Sequence, residues 1–300
     1  LEQQQLLAEE SLLRFCEPPH STNLSAVCPE ALSGLFEASR QGLFLRSVEG
    51  EKASEDGKMQ RLLTDSPPSS QWTGAKPTPQ SPSALSLLGR LRWASVGRHF
   101  DWTSRRYTLP HLPPLPVWLC DWAADLVQSI LATSSGAGRR PSPSSMMARA
   151  DEKHAWYPDT GLVNYYRPGD TLGGHVDDAE KTMEDPILSL SLGLPAVFLI
   201  GGPTRDEKPL ALLLRAGDAL LFSAQARRCY HGVPRVLLDR DVEARDRALQ
   251  GGPGDQSCAS LASPRVWQTP PMHPAQLSRP ESVQDWLRHV RINVSLRLAG

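Results

Sequence analysis

The sequence has no CxxC pair, and its five cysteines are scattered at Cys16, Cys28, Cys120, Cys229 and Cys258. So odd and dispersed a set argues against a disulfide framework or a structural zinc site and fits a reducing compartment. No apolar run reaches the roughly 20 residues that cross a bilayer, the longest candidate breaking around Gly193 and Pro195. No membrane partner is expected. Net charge is almost absent: −1 at pH 7 supplies no global field for nucleic acid and confines any such binding to local patches. No internal repeat is present. There is also no initial methionine; the chain begins at Leu1, so an upstream segment, with any targeting peptide, is expected to be missing. The expected location is intracellular, with nucleus, cytoplasm and mitochondrion not distinguished.

What is present suffices for one sizeable core. With 300 residues, 40% of them hydrophobic and 22% charged, the chain is expected to form one main domain with appendages and to act as a monomer. Residues 1–16 and 29–46 carry apolar residues at helical spacing, whereas 48–86 is dominated by Ser, Pro, Gly, Lys and Glu. The reading is an N-terminal helical segment over 1–47, a flexible linker over 48–86, and a main domain over 87–300. A further amphipathic helix is expected at 115–132, ending in a mobile loop, SSGAGRRPSPSS. After residue 160 come GLVNYY, ILSLSLG, AVFLI, LALLLR, ALLFS, VPRVL and RINVSLRL, divided by Gly/Pro/Asp clusters. That cadence predicts an antiparallel sandwich or barrel. A charged, Gly/Pro/Ser-rich insertion, expected to be disordered, interrupts it over about 239–280, and a short helix in ESVQDWLRHV follows.

The first chemistry lies in GGHVDDAE. In an extended segment His175 and Asp177 project to one face, so an imidazole and a carboxylate can reach a common point. A third ligand is available in RRCYHGVPRV, which places His231 between an apolar strand and a Gly-Pro turn. Two histidines and one carboxylate leave positions for an oxo-acid and dioxygen, the arrangement that suits non-haem Fe(II). Taken alone, an HxD with a later histidine fits equally a surface turn and an ordinary strand-end histidine.

The C-terminal segment RINVSLRLAG alternates, with Arg291, Asn293, Ser295 and Arg297 on one face and Ile292, Val294, Leu296 and Leu298 on the other. A solvent-facing edge strand would look the same. In a barrel that holds a dianion, however, the two arginines point inward and supply charge-assisted hydrogen bonds to carboxylates. Their backbones are roughly 20 Å apart at about 3.3 Å per residue. One is therefore expected at the oxo-acid's distal carboxylate and the other nearer the metal; the sequence leaves open which.

In order along the chain, NYYRPG, GGHVDDAE, ILSLSLGLPAVFLIGG, LLRAGDALLFSAQARRCYHGVPRV and RINVSLR resemble the AlkB family. The segments LRWASVGRHFDWTSRRY and LVNYY are most similar to its eukaryotic homologue one subfamily. The resemblance covers about residues 90–300. It implies an α+β, mainly β architecture: a double-stranded β-helix (jelly-roll) core with the N-terminal helices packed outside. It implies an Fe(II)- and 2-oxoglutarate-dependent dioxygenase that consumes O2 and oxidatively demethylates N-methylated nucleobases in tRNA or in unpaired or bulged DNA. Formaldehyde, succinate and CO2 would be released. By motif position it implies that His175, Asp177 and His231 hold the metal, and that Asn164 and Tyr166 join Arg291, Asn293 and Arg297 around the oxo-acid. A protein hydroxylase or demethylase on the same scaffold is the alternative. One departure stands out: where bacterial repair members resemble HxDxDE, this sequence has Ala179, followed by Glu180, so lesion preference does not carry over.

Just before the barrel, arginines and His99 interleave with Trp93, Phe100, Trp102 and Tyr107. Cations for phosphates and aromatic faces for bases are what binding of unpaired nucleic acid requires. The substrate candidates are Arg98, Trp102, Arg105 and Arg106, with Arg139 and Arg140 in the flexible loop. Core aromatics edged by solvated arginines, and an ordinary loop tip, are the competing readings.

Overall fold

A computed structural model describes residues 2–25, 33–46, 71–76, 78–79, 81–101, 104, 106–107, 113–134, 156–250 and 277–299. The front of the chain carries helix α1 (Glu2–Leu13), strand β1 (Ser21–Thr22), α2 (Leu35–Gln41), β2 (Phe44–Leu45), β3 (Trp72–Thr73), α3 (Ala84–Leu88), β4 (Trp93–Gly97), β5 (Phe100–Asp101), β6 (Arg106–Tyr107) and α4 (Val117–Ser134). The strand-rich half follows with β7 (Thr160–Tyr166), β8 (Leu172–His175), β9 (Ile187–Gly193), β10 (Ala196–Ile200), β11 (Leu210–Leu214), β12 (Ala219–Phe222) and β13 (His231–Val236). Helix α5 (Asp239–Gln250), helix α6 (Val283–Leu287) and strand β14 (Arg291–Arg297) complete it.

Six strands pair in the order β1-β4-β7-β14-β9-β12 and four in the order β11-β10-β13-β8. The two sheets pack on each other: Tyr166, Ile187 and Phe222 of the larger share an apolar cluster with Phe198, Leu214 and Val233 of the smaller. This is the antiparallel sandwich that the cadence of short strands predicts and the jelly roll that the resemblance implies, the smaller sheet burying an apolar face against the larger.

Alternation along β14 decides the placement of everything else. All seven of its residues are buried. Ile292, Val294 and Leu296 join Val163 and Tyr165 of β7 and Leu190 of β9 in a core shared with α1, α2, α3 and α4. Each such side chain contributes about 1.5–3 kcal/mol on burial. The opposite face, Arg291, Asn293, Ser295 and Arg297, turns to a cavity between the sheets. A one-residue slip of β14 would exchange these sets, driving arginines into the apolar core and aliphatics into the cavity.

Helices α1 to α4 lie on the outside of the larger sheet, as the resemblance implies. Leu7, Ala8 and Leu12 of α1 are buried, and the Tyr165 hydroxyl donates to the carbonyl of Ser11, pinning α1 to the sheet. In α4, Leu119, Cys120, Ala123 and Val127 form the buried stripe, the i, i+4, i+8 spacing of one helix face.

Two segments are more ordered than their composition suggests. The tail of the expected 48–86 linker contains β3 and α3; Trp72 is buried and its indole N–H donates to Ser33 O at 2.8 Å, while the Ser83 hydroxyl caps α3 by accepting from Ser86 N. One aromatic and one cap outweigh a polar composition. The expected insertion at 239–280 begins with α5, whose first turn carries Asp239 and Asp241, favourable against the helix dipole. Residues 251–276 and most of the SSGAGRRPSPSS loop lie outside the described residues. Among the described residues no helix is long and apolar enough to cross a membrane.

Candidate active site

Strands β8 and β13 run antiparallel with His175 and His231 as register partners. Residues directly opposite in such a pair share a face, so the two rings meet with centroids 4.4 Å apart. The approach needs Gly232: a Cβ there would sit 2.8 Å from Leu172 O, in the backbone of β8. Asp177 lies just past the end of β8, and its two carboxylate oxygens stand 3.7 Å from His175 Nε2 and 3.8 Å from His231 Nε2. Ligand atoms of the three residues all lie within 4.8 Å of one another.

The histidines are also oriented. Nδ1 of His175 is 2.9 Å from Gly173 O, and Nδ1 of His231 is 3.2 Å from Cys229 O. A proton on each Nδ1 donates to those carbonyls and leaves an Nε2 lone pair facing Asp177, the tautomer a metal ligand needs. Burial pushes the His231 imidazole pKa down against the pull of Asp177, favouring the neutral ring. Phe222 and Phe198 flank that ring at 4.9 and 5.8 Å. Burial alone would raise the Asp177 carboxyl; Arg297 first, then His231, His175 and Arg227, outweigh it and hold the pKa below the usual carboxylate value. The triad is thus one carboxylate and two imidazoles converging on a point.

That point is one end of a cavity of about 480 Å³ bounded by both sheets. Arg297 lines the cavity at the triad, with Nη2 3.4 Å from Asp177 Oδ2 and Nη1 2.7 Å from Glu180 Oε1. At the far end of β14, Arg291 is 1% exposed; it donates to Ser191 Oγ at 2.9 Å and Leu194 O at 3.3 Å. Burial lowers its pKa to about 10, against Tyr166 and Asp218, and burial raises the Tyr166 hydroxyl to about 12. Between the arginines, Asn293 donates to Ser189 Oγ at 2.7 Å and accepts from Ser295 Oγ at 3.2 Å. Asn164 faces the same space, paired in register with Asn293. The Nε atoms of Arg291 and Arg297 are buried without a hydrogen-bond partner among the described residues. A buried, unsatisfied guanidinium N–H costs roughly 1–3 kcal/mol or more, a cost that a carboxylate in the cavity would relieve. The residues therefore fit a metal ion at one end and a dicarboxylate reaching toward Arg291 at the other.

The structure brings His175, Asp177, His231, Asn164, Tyr166, Arg291, Asn293 and Arg297 together around one cavity. The substrate candidates fare differently. Arg98 is bound to Asp159 at 2.6 Å and does not line the cavity, so its charge is already engaged. Arg106 is exposed on β6. Trp102, Arg105, Arg139 and Arg140 lie outside the described residues. From the same stretch it is Phe100 and Tyr107 that border the cavity, their rings 5.1 Å apart across the β5–β6 hairpin.

Sequence reasoning overlooked Arg227 and gave Glu180 no role beyond a departure from a pattern. Both are buried, and Arg227 Nη2 meets Glu180 Oε2 at 3.0 Å. A charged residue in RRCYHG one helical turn before the histidine was the available signal. Ser189 and Ser191, read only as part of a strand, supply the hydroxyls that orient Asn293 and Arg291.

A family model described as the 2OG-Fe(II) oxygenase superfamily matches residues 45–297. The chain is 34% identical over 235 residues to the DNA N(6)-methyladenine demethylase ALKBH1A of Arabidopsis thaliana, a match covering 78% of this chain and 60% of that protein. It is 33% identical over 218 residues to the nucleic acid dioxygenase ALKBH1 of Mus musculus, covering 71% and 47%. It is 34% identical over 149 residues to the tRNA demethylase abh1 of Schizosaccharomyces pombe, covering 49% and 43%. The chain spans about half the length of the curated relatives it matches. These matches bear out the resemblance read from the motif blocks.

Proposed function

This chain belongs to the 2OG-Fe(II) oxygenase superfamily, and on that premise we propose that it is a dioxygenase that demethylates N-methylated nucleobases in nucleic acid. The observation that carries the reading is the pairing of ends within one cavity: His175, Asp177 and His231 converge at one, and Arg291, its Nε without a partner among the described residues, stands at the other. In this reading the triad holds Fe(II). Arg291, supported by Ser191 and Tyr166, takes the distal carboxylate of 2-oxoglutarate; Asn293 and Asn164 flank its chain, and Arg297 lies near the metal-facing end. The bound metal and oxo-acid would supply the oxidising power, O2 being consumed as 2-oxoglutarate becomes succinate and CO2 and an N-methyl carbon is hydroxylated.

The protein's part is to hold and exclude. Phe198, Phe222 and Leu214 give the cavity apolar walls that limit water near the triad. Phe100 and Tyr107 offer aromatic faces at the hairpin against which a base can stack, at about 1–3 kcal/mol per base. A nucleobase inside a duplex cannot reach such a depth, so the substrate is an unpaired or flipped base. Once the methyl carbon is hydroxylated, the hemiaminal collapses to formaldehyde and the free base.

The activities for which the relatives are named, on N(6)-methyladenine in DNA and on tRNA, support a nucleic-acid substrate and differ on which one. A panel of single-stranded, bulged and paired oligonucleotides, each with one N-methylated base, tests the reading by mass spectrometry. Loss of the methyl group from unpaired substrates is expected; retention across the whole panel, with Fe(II), 2-oxoglutarate and O2 present, would overturn it.

A further inference from the structure

We propose that Glu180 is a positioning residue that holds Arg297 back from Asp177, keeping the carboxylate of the metal site free for the metal. The inference rests on the proposed metal role of the triad. Glu180 is buried to 1% side-chain exposure, as is Arg227. Its Oε1 receives Arg297 Nη1 at 2.7 Å and the Tyr107 hydroxyl at 3.2 Å, and its Oε2 receives Arg227 Nη2 at 3.0 Å. Arg227 in turn donates to the backbone oxygens of Asp177 at 2.9 Å and Asp185 at 2.8 Å. The loop that carries Asp177, the turn that leads to His231 and strand β14 are thereby tied to one carboxylate.

The distances show a contest. Arg297 is a cation between two carboxylates, 2.7 Å from Glu180 and 3.4 Å from Asp177. The shorter contact is a full charge-assisted hydrogen bond, the longer one only marginal. Two buried guanidinium groups, Arg227 and Arg297, face two carboxylates, Glu180 and Asp177, so the four side chains balance. Removing the charge of Glu180 leaves two buried cations and one anion. An uncompensated buried charge is strongly unfavourable, and Asp177 is the carboxylate within reach of Arg297. The guanidinium would close on Asp177 and occupy Oδ2, the oxygen that faces His231. Mere filling of the space at Glu180 predicts no such transfer.

Fe(II) titration of the full chain under anaerobic conditions, without 2-oxoglutarate, tests this independently of turnover. Glu180→Gln keeps the shape and should weaken Fe(II) binding about tenfold, the size of one displaced charge-assisted contact. Arg297→Met alone sets the reference affinity of a site that lacks this guanidinium. In Glu180→Gln combined with Arg297→Met the affinity should return to the Arg297→Met value, because no arginine remains to seize Asp177. A folded Glu180→Gln with wild-type affinity overturns the proposal, as does a double variant that binds more weakly than Arg297→Met. Should Glu180→Gln alone fail to fold, the comparison of the double variant with Arg297→Met still decides, since it removes a buried cation along with the anion. A wild type that binds no Fe(II) would instead overturn the reading of the triad, and this inference with it.

Discussion

Arg291 and Arg297 occupy opposite ends of one buried strand face: Arg291 rests on Ser191 Oγ at 2.9 Å, and Arg297 approaches Asp177 Oδ2 to 3.4 Å. The sequence requires two arginines on one face and leaves their division of labour open; the register of β14 between β7 and β9 resolves their placement. The end nearer the triad belongs to Arg297.

That division makes the two ends separable by mutation. Arg291→Met keeps most of the stem and removes charge-assisted hydrogen bonds worth on the order of 1.5–3 kcal/mol, so 2-oxoglutarate affinity should fall about ten- to hundredfold. Fe(II) affinity should be unchanged. Ser191→Ala, which only frees Arg291 to wander, should have a smaller effect in the same direction, about threefold to tenfold. Isothermal titration of 2-oxoglutarate into the anaerobic Fe(II) form reads both. Normal affinity in Arg291→Met would place the oxo-acid elsewhere.

Tyr107 links the β5–β6 hairpin to the triad through Glu180. Burial raises its pKa to about 12, so the hydroxyl stays protonated and can donate throughout the physiological range. Tyr107→Phe should leave the ring at the cavity edge while cutting that link, and succinate formed per formaldehyde should rise about two- to fivefold, a fraction of the roughly 1.5–3 kcal/mol that a hydrogen bond to a carboxylate contributes. A ratio equal to that of the wild type would mean the hairpin does not communicate with the site.

The arginines before the barrel are not equivalent. Arg98 is engaged by Asp159 at 2.6 Å in a partly exposed pair, so Arg98→Ala should cost no more than about 1 kcal/mol of stability. The salt dependence of oligonucleotide binding should not move. Arg106→Ala removes an exposed charge beside Tyr107, and if it meets a phosphate the slope against log salt should shrink by about 0.7–0.9. Binding measured over a range of salt concentrations distinguishes the two, and a flattened slope in Arg98→Ala would show that its pairing with Asp159 yields to phosphate.

How far the sequence could be read depended on whether the signal was periodic or spatial. The strands after residue 160 announce themselves by alternation, and β14 by the sharpest alternation of all. HxD and the later histidine carry their chemistry in side-chain type, so the triad was legible without knowing that His175 and His231 would be register partners. Glu180 with Arg227 was not: its meaning lies in a contact between residues 47 apart, and buried ion pairs leave no periodic trace. Trp72 shows the same limit from the other side. One aromatic in a Ser/Pro-rich stretch has no period, yet its burial draws the end of an apparent linker into the fold.

The central claim is tested most directly by supplying the Fe(II)-loaded protein with 2-oxoglutarate, O2 and a single-stranded oligonucleotide carrying one N-methylated base, and measuring succinate, formaldehyde and the mass of the oligonucleotide together. The account predicts methyl loss with formaldehyde in equal amount to the substrate-dependent succinate. All three signals should vanish in Asp177→Ala, which removes the only anionic ligand of the triad. Demethylation that persists in a folded Asp177→Ala, or succinate formation stimulated by peptides and indifferent to every methylated oligonucleotide, would contradict it.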